Sequence, residues 1–307
     1  MFCTEEDVNY ILSYSKTLVD HLNQGKTVPR QLKSIQYVVF AGLIAHYGFD
    51  AVDTIYKAFS SSNFVYTKDS FEDITKNINI SGIQNRNITR VGSFVTLGAK
   101  ERLDGKMQIS RTIYITDNDE YESFDRFLEK VVHEINHVVN SVNKPVVLYH
   151  GSKSFRIGMS VSEIGGERGF GRILEESVNV LQTADIMKEI LNFSRFKVLD
   201  PGIGYVLCRI RTAAKYPRVE GYGYEFTTPI VKELYSNNKF KNLVVGSRLS
   251  GLINPIRVDF DSKVGEGCYY RFCDAINAID NKGRVWWDRS DEEKLASQYI
   301  KKYNACR

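Results

Sequence analysis

The chain lacks any apolar run long enough to cross a bilayer. Its most tempting stretch, Tyr37 to Ala45, falls far short of the about 20 residues that a membrane helix requires, and reads as a core helix. It also has little net charge. Lys and Arg number 41 against 37 Asp and Glu, leaving +4 over 307 residues, which gives no reason to invoke nucleic acid. Cysteine is sparse and odd in number: Cys3, Cys208, Cys268, Cys273 and Cys306. That excludes a disulfide framework, and no second pair completes a metal site around Cys268 and Cys273. Free thiols in a reducing compartment are expected. The first residues, Met1 to Asp7, are acidic and lack a basic segment followed by an apolar one, so no secretory leader is expected and the protein reads as cytoplasmic. Gly165 to Gly171 is glycine-rich but carries neither G-K-[ST] nor G-x-G-x-x-G after a strand. A phosphate loop is excluded there and a mobile turn expected. There are no internal repeats or low-complexity runs. The charged and apolar fractions are those of an ordinary globular chain.

What is present is His133-Glu134-Ile135-Asn136-His137, an H-E-x-x-H sequence inside an apolar-periodic segment from Phe124 to Val139. On a helix, positions i and i+4 share a face, so both imidazoles reach one metal ion. Glu134 lies about 100° round from His133, near enough to handle the proton of a zinc-activated water. The chemistry this spacing points to is zinc-dependent hydrolysis, most often of a peptide bond. With His133 at 0°, Phe124, Leu128, Val131, Val132, Ile135, Val138 and Val139 fall between roughly 120° and 260°. The two histidines fall opposite that stripe rather than within it.

A catalytic zinc needs a third protein ligand and an open position. Only His21, His46 and His150 remain among the histidines. The first two lie in expected N-terminal helices, and His150 ends an expected strand. The H-E-x-x-H-x-x-G-x-x-H pattern is absent, since Asn140 and Lys144 occupy its last two fixed positions. An acidic ligand fits better. A second amphipathic helix is expected from about Gly171 to Phe193. On it Glu176 shares a face with Ile173, Val180, Ala184, Met187 and Ile190, while Glu175 points about 100° away beside Asn179 and Ile186. A carboxylate on an apolar face is expensive unless paired or metal-bound. Glu176 is therefore the expected third ligand, with Glu175 the alternative.

The stretch 107–191 resembles the gluzincin branch of zinc metallopeptidases, the thermolysin-like zincins. It does so through H-E-x-x-H at 133–137 and through Leu174-Glu175-Glu176-Ser177, which matches L-x-E-G with Ser177 in place of Gly. A second alignment places Glu175 on the ligand and Asn179 on the acid that supports a ligating histidine. The resemblance covers a quarter to a third of the chain. It implies an α+β fold: a zincin-like core at 61–200, in which a small mixed sheet packs on the H-E-x-x-H helix. N-terminal helices at 1–60 and a mixed, mainly helical region at 201–307 flank it. It implies Zn2+ as cofactor and peptide or protein as substrate, with Glu134 as general base. It also implies an edge strand at Arg111 to Thr116 that pairs with extended substrate, and a tyrosine that steadies the developing oxyanion. Tyr224 and Tyr222, in Gly221-Tyr222-Gly223-Tyr224, are the candidates. The alternative function is a non-proteolytic or highly target-restricted binding or regulatory protein.

Other elements follow from local signals. Helices are expected at about 5–23, 30–47 and 50–60, the first begun by Thr4 with Asp7 three residues on. Strands are expected at 90–98 and 107–116, and a hairpin at 145–162. Later helices are expected near 226–237, 268–280 and 290–304.

Overall fold

In a computed structural model the described residues are 4–28, 30–67, 93–101, 107–116, 124–142, 146–149, 152–157, 159–163, 169–213, 224, 226–284 and 288–306. The chain divides into two compact units. One comprises Met1–Val139 with Thr183–Pro217, the other Asn140–Gln182 with Arg218–Arg307.

The first unit opens with α1 (Glu5–Leu22), where the Thr4 hydroxyl accepts a hydrogen bond from the Asp7 N–H at 3.1 Å. This satisfies one of the donors that a helix start leaves open. Helix α2 (Arg30–Tyr47) buries Leu32, Ile35, Val38, Val39, Phe40, Leu43 and Ile44. Apolar residues on so many sides mark a helix covered by neighbours all round. A short 3-10 turn (Phe49–Ala51) leads into α3 (Val52–Ser60), which buries Ile55, Ala58 and Phe59. Strands β1 (Ser62–Thr67), β2 (Ser93–Glu101) and β3 (Met107–Thr116) form a ladder with β3 in the middle, parallel to β1 and antiparallel to β2. Helix α4 (Phe124–Val139) follows. The second half of α5 (Arg172–Phe193) and α6 (Pro201–Ala213) complete the unit. Gly42 lets α5 approach α2 closely, since a Cβ there would lie 2.5 Å from Ile190 Cγ1.

The second unit holds a four-stranded antiparallel ladder: β4 (Val146–Tyr149), β5 (Ser152–Ile157), β6 (Ser160–Glu163) and β7 (Gly169–Phe170). The first half of α5 follows, and then α7 (Thr228–Tyr235), α8 (Asn238–Ser250), α9 (Asn254–Val264), α10 (Cys268–Arg284) and α11 (Ser290–Ala305). Its core gathers Leu174, Val178 and Leu181 of α5 with Val231, Phe240, Phe260, Phe272 and Ile276. The Phe260 ring stacks on Phe272 at 5.3 Å and on Tyr303 at 5.4 Å.

The α+β expectation is corrected. Where it is well described, the chain is 81% helical and the fold is all-helical. The physical reason is the breadth of the apolar faces. Helices α2, α4 and α5 each bury residues round most of their circumference, so helix meets helix and no sheet is needed as the core wall. A second correction concerns Arg111 to Thr116. That segment is paired on both sides, with Ser62–Thr67 and with Ser93–Leu97, so it offers no free edge to a peptide. Among the described residues, no single helix is long and apolar enough to cross a membrane.

Candidate metal centre

Helix α4 is fixed on several sides within its unit. Leu128, Val131, Val132, Ile135, Val138 and Val139 are buried. The Arg209 guanidinium of α6 lies over the Phe124 ring at 4.2 Å. The Asn136 side chain, fully buried, accepts a hydrogen bond from the Tyr47 hydroxyl of α2 at 2.6 Å. Asn136 is the fourth residue of the H-E-x-x-H run, so this bond sets the rotation of the helix about its axis. The last turns of α2 and α4 are thereby joined.

His133 and His137 lie one turn apart on the same face of α4. Their Nε2 atoms stand 3.2 Å apart, with ring planes at 87°. Both side chains are buried, 5% and 8% exposed. Glu134, between them in sequence, is only partly buried. His133, His137 and Glu176 of α5 form a group whose ligand atoms all lie within 4.8 Å of one another.

The donor set suits zinc. Two imidazoles and a carboxylate are the ligands of one class of hydrolytic zinc sites, and nitrogens sharing a tetrahedral ion at about 2.0–2.1 Å stand about 3.3 Å apart. The observed Nε2 separation of 3.2 Å matches that edge. His133, His137 and Glu176 would hold the ion.

Glu175 does something else. It is 2% exposed, whereas Glu176 is partly exposed. Its Oε2 accepts from the Met159 N–H at 2.7 Å, and its Oε1 pairs with the Arg248 guanidinium of α8. Arg248 also donates to Gln182 and, at 3.0 Å, to Asn179 Oδ1. An ion pair this deep is tolerable because nearly every polar group in it finds a partner. Nearby, burial pushes the Tyr269 phenol well above its ordinary range, with Cys273 and Glu175 adding to the effect, so it stays neutral. Burial pushes the Cys273 thiol up as well, which leaves it unreactive. The polar face of α5 is buried too, and Glu175, Asn179 and Gln182 are occupied by a single arginine. Sequence reasoning missed Arg248. The available signal was the i, i+4, i+7 spacing of Glu175, Asn179 and Gln182, a polar stripe on a helix with little polar surface elsewhere.

Helix α5 is entered at Gly171, whose φ of +68° favours glycine and where a Cβ would lie 3.0 Å from the Met159 carbonyl oxygen. The same Met159 turn is held by Glu175, so both ends of the first helical turn are pinned. The rest of the glycine-rich stretch, 165–168, lies outside the described residues, as do Tyr222 and His150. Tyr224 lies four residues before α7, and its carbonyl accepts from the Thr227 and Thr228 N–H groups at 3.2 and 2.9 Å. The Thr227 hydroxyl is 2.8 Å from that of Ser177, the neighbour of Glu176. Of the remaining histidines, His21 meets the Tyr56 hydroxyl at 2.7 Å, and His46 closes α2 with its ring edge-on to Tyr47.

The chain matches no protein-family model, no curated protein and no solved structure.

Proposed function

We propose that the chain is a zinc-dependent hydrolase acting on peptide bonds. The observation that carries the reading is the His133–His137–Glu176 cluster with Glu134 on the same helical turn. Two histidines four residues apart are common. Two whose nitrogens stand 3.2 Å apart, with a carboxylate from another helix within 4.8 Å, make the donor set of a hydrolytic zinc site. The gluzincin-like pattern of the ligands agrees with this reading, while the all-helical fold confines the likeness to the motif.

A bound zinc supplies Lewis acidity, polarising a carbonyl and making water a better nucleophile at neutral pH. The chain's residues do the rest. Glu134 accepts the proton of the attacking water at its carboxylate and delivers it to the leaving amine. Asn136, held by Tyr47, keeps His133 and Glu134 at their azimuths. Arg248 holds Glu175, so the adjacent Glu176 is presented on a helix that cannot rotate. Tyr224 is the proposed oxyanion donor. Its segment is tethered beside Glu176 through Thr227 and Ser177. The test is elemental analysis of the purified chain together with peptide turnover by the native protein and by Glu134→Gln and Tyr224→Phe.

One observation favours a second reading, a metal-binding module without peptidase activity. Strand β3 is closed on both edges, which removes the expected device for holding an extended substrate. Stoichiometric zinc with no turnover of any member of a peptide library would select it.

A further inference from the structure

In the first unit, α1, the first half of α2 and the start of α6 border an open cavity of about 290 Å³ that shares no residue with the metal cluster. Its wall includes Lys16, Arg30, Lys33, Ser34, Asp200 and Gly202. We propose that it binds a compact phosphate-type dianion, a phosphate monoester or inorganic phosphate, independently of the metal centre.

Three cations converge on one small volume, and the two carboxylates nearby are already committed. Asp20 accepts from Lys16 Nζ at 2.9 Å and from the Tyr37 hydroxyl at 2.5 Å. Those bonds outweigh burial and hold its carboxyl below the ordinary range. Asp200 caps α6: its Oδ1 accepts from the Gly202 and Ile203 N–H groups at 2.9 and 3.0 Å. Its charge is offset by the positive end of that helix. Lys33 acts on Asp20 only through space, and Arg30 makes no ion pair among the described residues. Two cations on α2, one turn apart, thus face a cavity without a carboxylate of their own. A guanidinium with a neighbouring ammonium is a donor set for phosphate oxygens.

The space is specified rather than accidental. A Cβ at Gly202 would lie 2.8 Å from Ser34 Oγ, so any larger residue there drives into the cavity wall. The Ser34 hydroxyl bonds the Arg30 carbonyl at 3.3 Å, which leaves its oxygen lone pairs and that weak bond exchangeable for a ligand. The volume lies at the small end of ligand pockets, which suits a compact ester better than a nucleotide.

The experiment uses the full chain. Isothermal titration calorimetry with inorganic phosphate and with glycerol 3-phosphate should show saturable binding, which chloride at equal ionic strength does not reproduce. The double variant Arg30→Gln with Lys33→Gln, both on the surface and checked for fold by circular dichroism, should weaken binding at least about tenfold. The charge-matched pair Lys294→Gln with Lys301→Gln should leave it unchanged. Amide hydrogen exchange of residues 200–204 in the native chain should slow with phosphate, a readout that stands if the variant misfolds. No binding at about 10 mM anion, equal binding by the double variant, or unaltered exchange at 200–204 would overturn the proposal. So would binding only to phosphatidic acid vesicles and not to the free esters. Zinc content plays no part in these readouts, so failure of the metal assignment leaves them intact.

Discussion

Arg248 and Glu175 form an ion pair sealed from solvent, their side chains 0% and 2% exposed, one residue away from the proposed metal ligand Glu176. Adjacent glutamates on one helix therefore have opposite surroundings. One is neutralised by an arginine, and the other shares a cluster with two histidines.

That contrast separates the two glutamates experimentally. Glu176→Gln should weaken zinc binding by at least about 10–100-fold, read by competition with a chromogenic chelator, with little change in unfolding free energy of the metal-free chain. Glu175→Gln should do the reverse. Zinc affinity changed by Glu175→Gln alone would show that the ligand is the wrong glutamate.

The buried pair should behave as a coupled unit. Arg248→Met leaves an uncompensated carboxylate in the core and should destabilise by about 3–5 kcal/mol in urea melts. Glu175→Leu in the same chain should recover much of that loss. Equal and additive losses from the two changes would mean the pair is not coupled.

Glu134→Gln keeps the shape of the helix and should keep one zinc per chain. Peptide turnover should fall by about 10²–10⁴-fold. Metal content is read by mass spectrometry and turnover with a quenched fluorescent peptide library. Loss of zinc in this variant would place Glu134 among the ligands instead.

Asp259 makes stability depend on acid. Burial pushes its carboxyl up, but bonds from Lys239, Tyr303 and Lys263 outweigh it and hold the group below its ordinary range. A lowered carboxyl stabilises the fold fully above its unfolded value of about 3.9, and that contribution is lost as pH falls through the lowered folded value. Native protein should thus lose more stability than Asp259→Asn between about pH 5 and the acid limit, in melts followed by circular dichroism. Parallel curves for the two proteins would remove Asp259 from the account.

Gly42→Ala should destabilise by about 1–3 kcal/mol, because the new methyl meets Ile190 where α2 and α5 approach. Ile190→Val in the same chain should return part of it. No loss in the single variant would show that the contact relaxes freely.

The sequence by itself determined the local elements and the spacing of the two histidines. Thr4 and Asp7 begin α1 as their spacing requires, and the apolar period of Phe124 to Val139 makes a helix with His133 and His137 one turn apart. These are short-range consequences of 3.6 residues per turn and of open donors at a helix start. Helices α6, α8 and α9 were not legible; Pro201 and Pro255 stand in the first turns of α6 and α9, where a missing N–H costs nothing. Tertiary structure alone decided the rest. The residues at 90–98 and 107–116 predict strands, but which strand is central depends on pairing with distant Ser62–Thr67. Whether a helix's polar stripe faces water or a buried arginine depends on a residue 73 positions away. Burial is a property of what covers a face, and periodicity reports only the face.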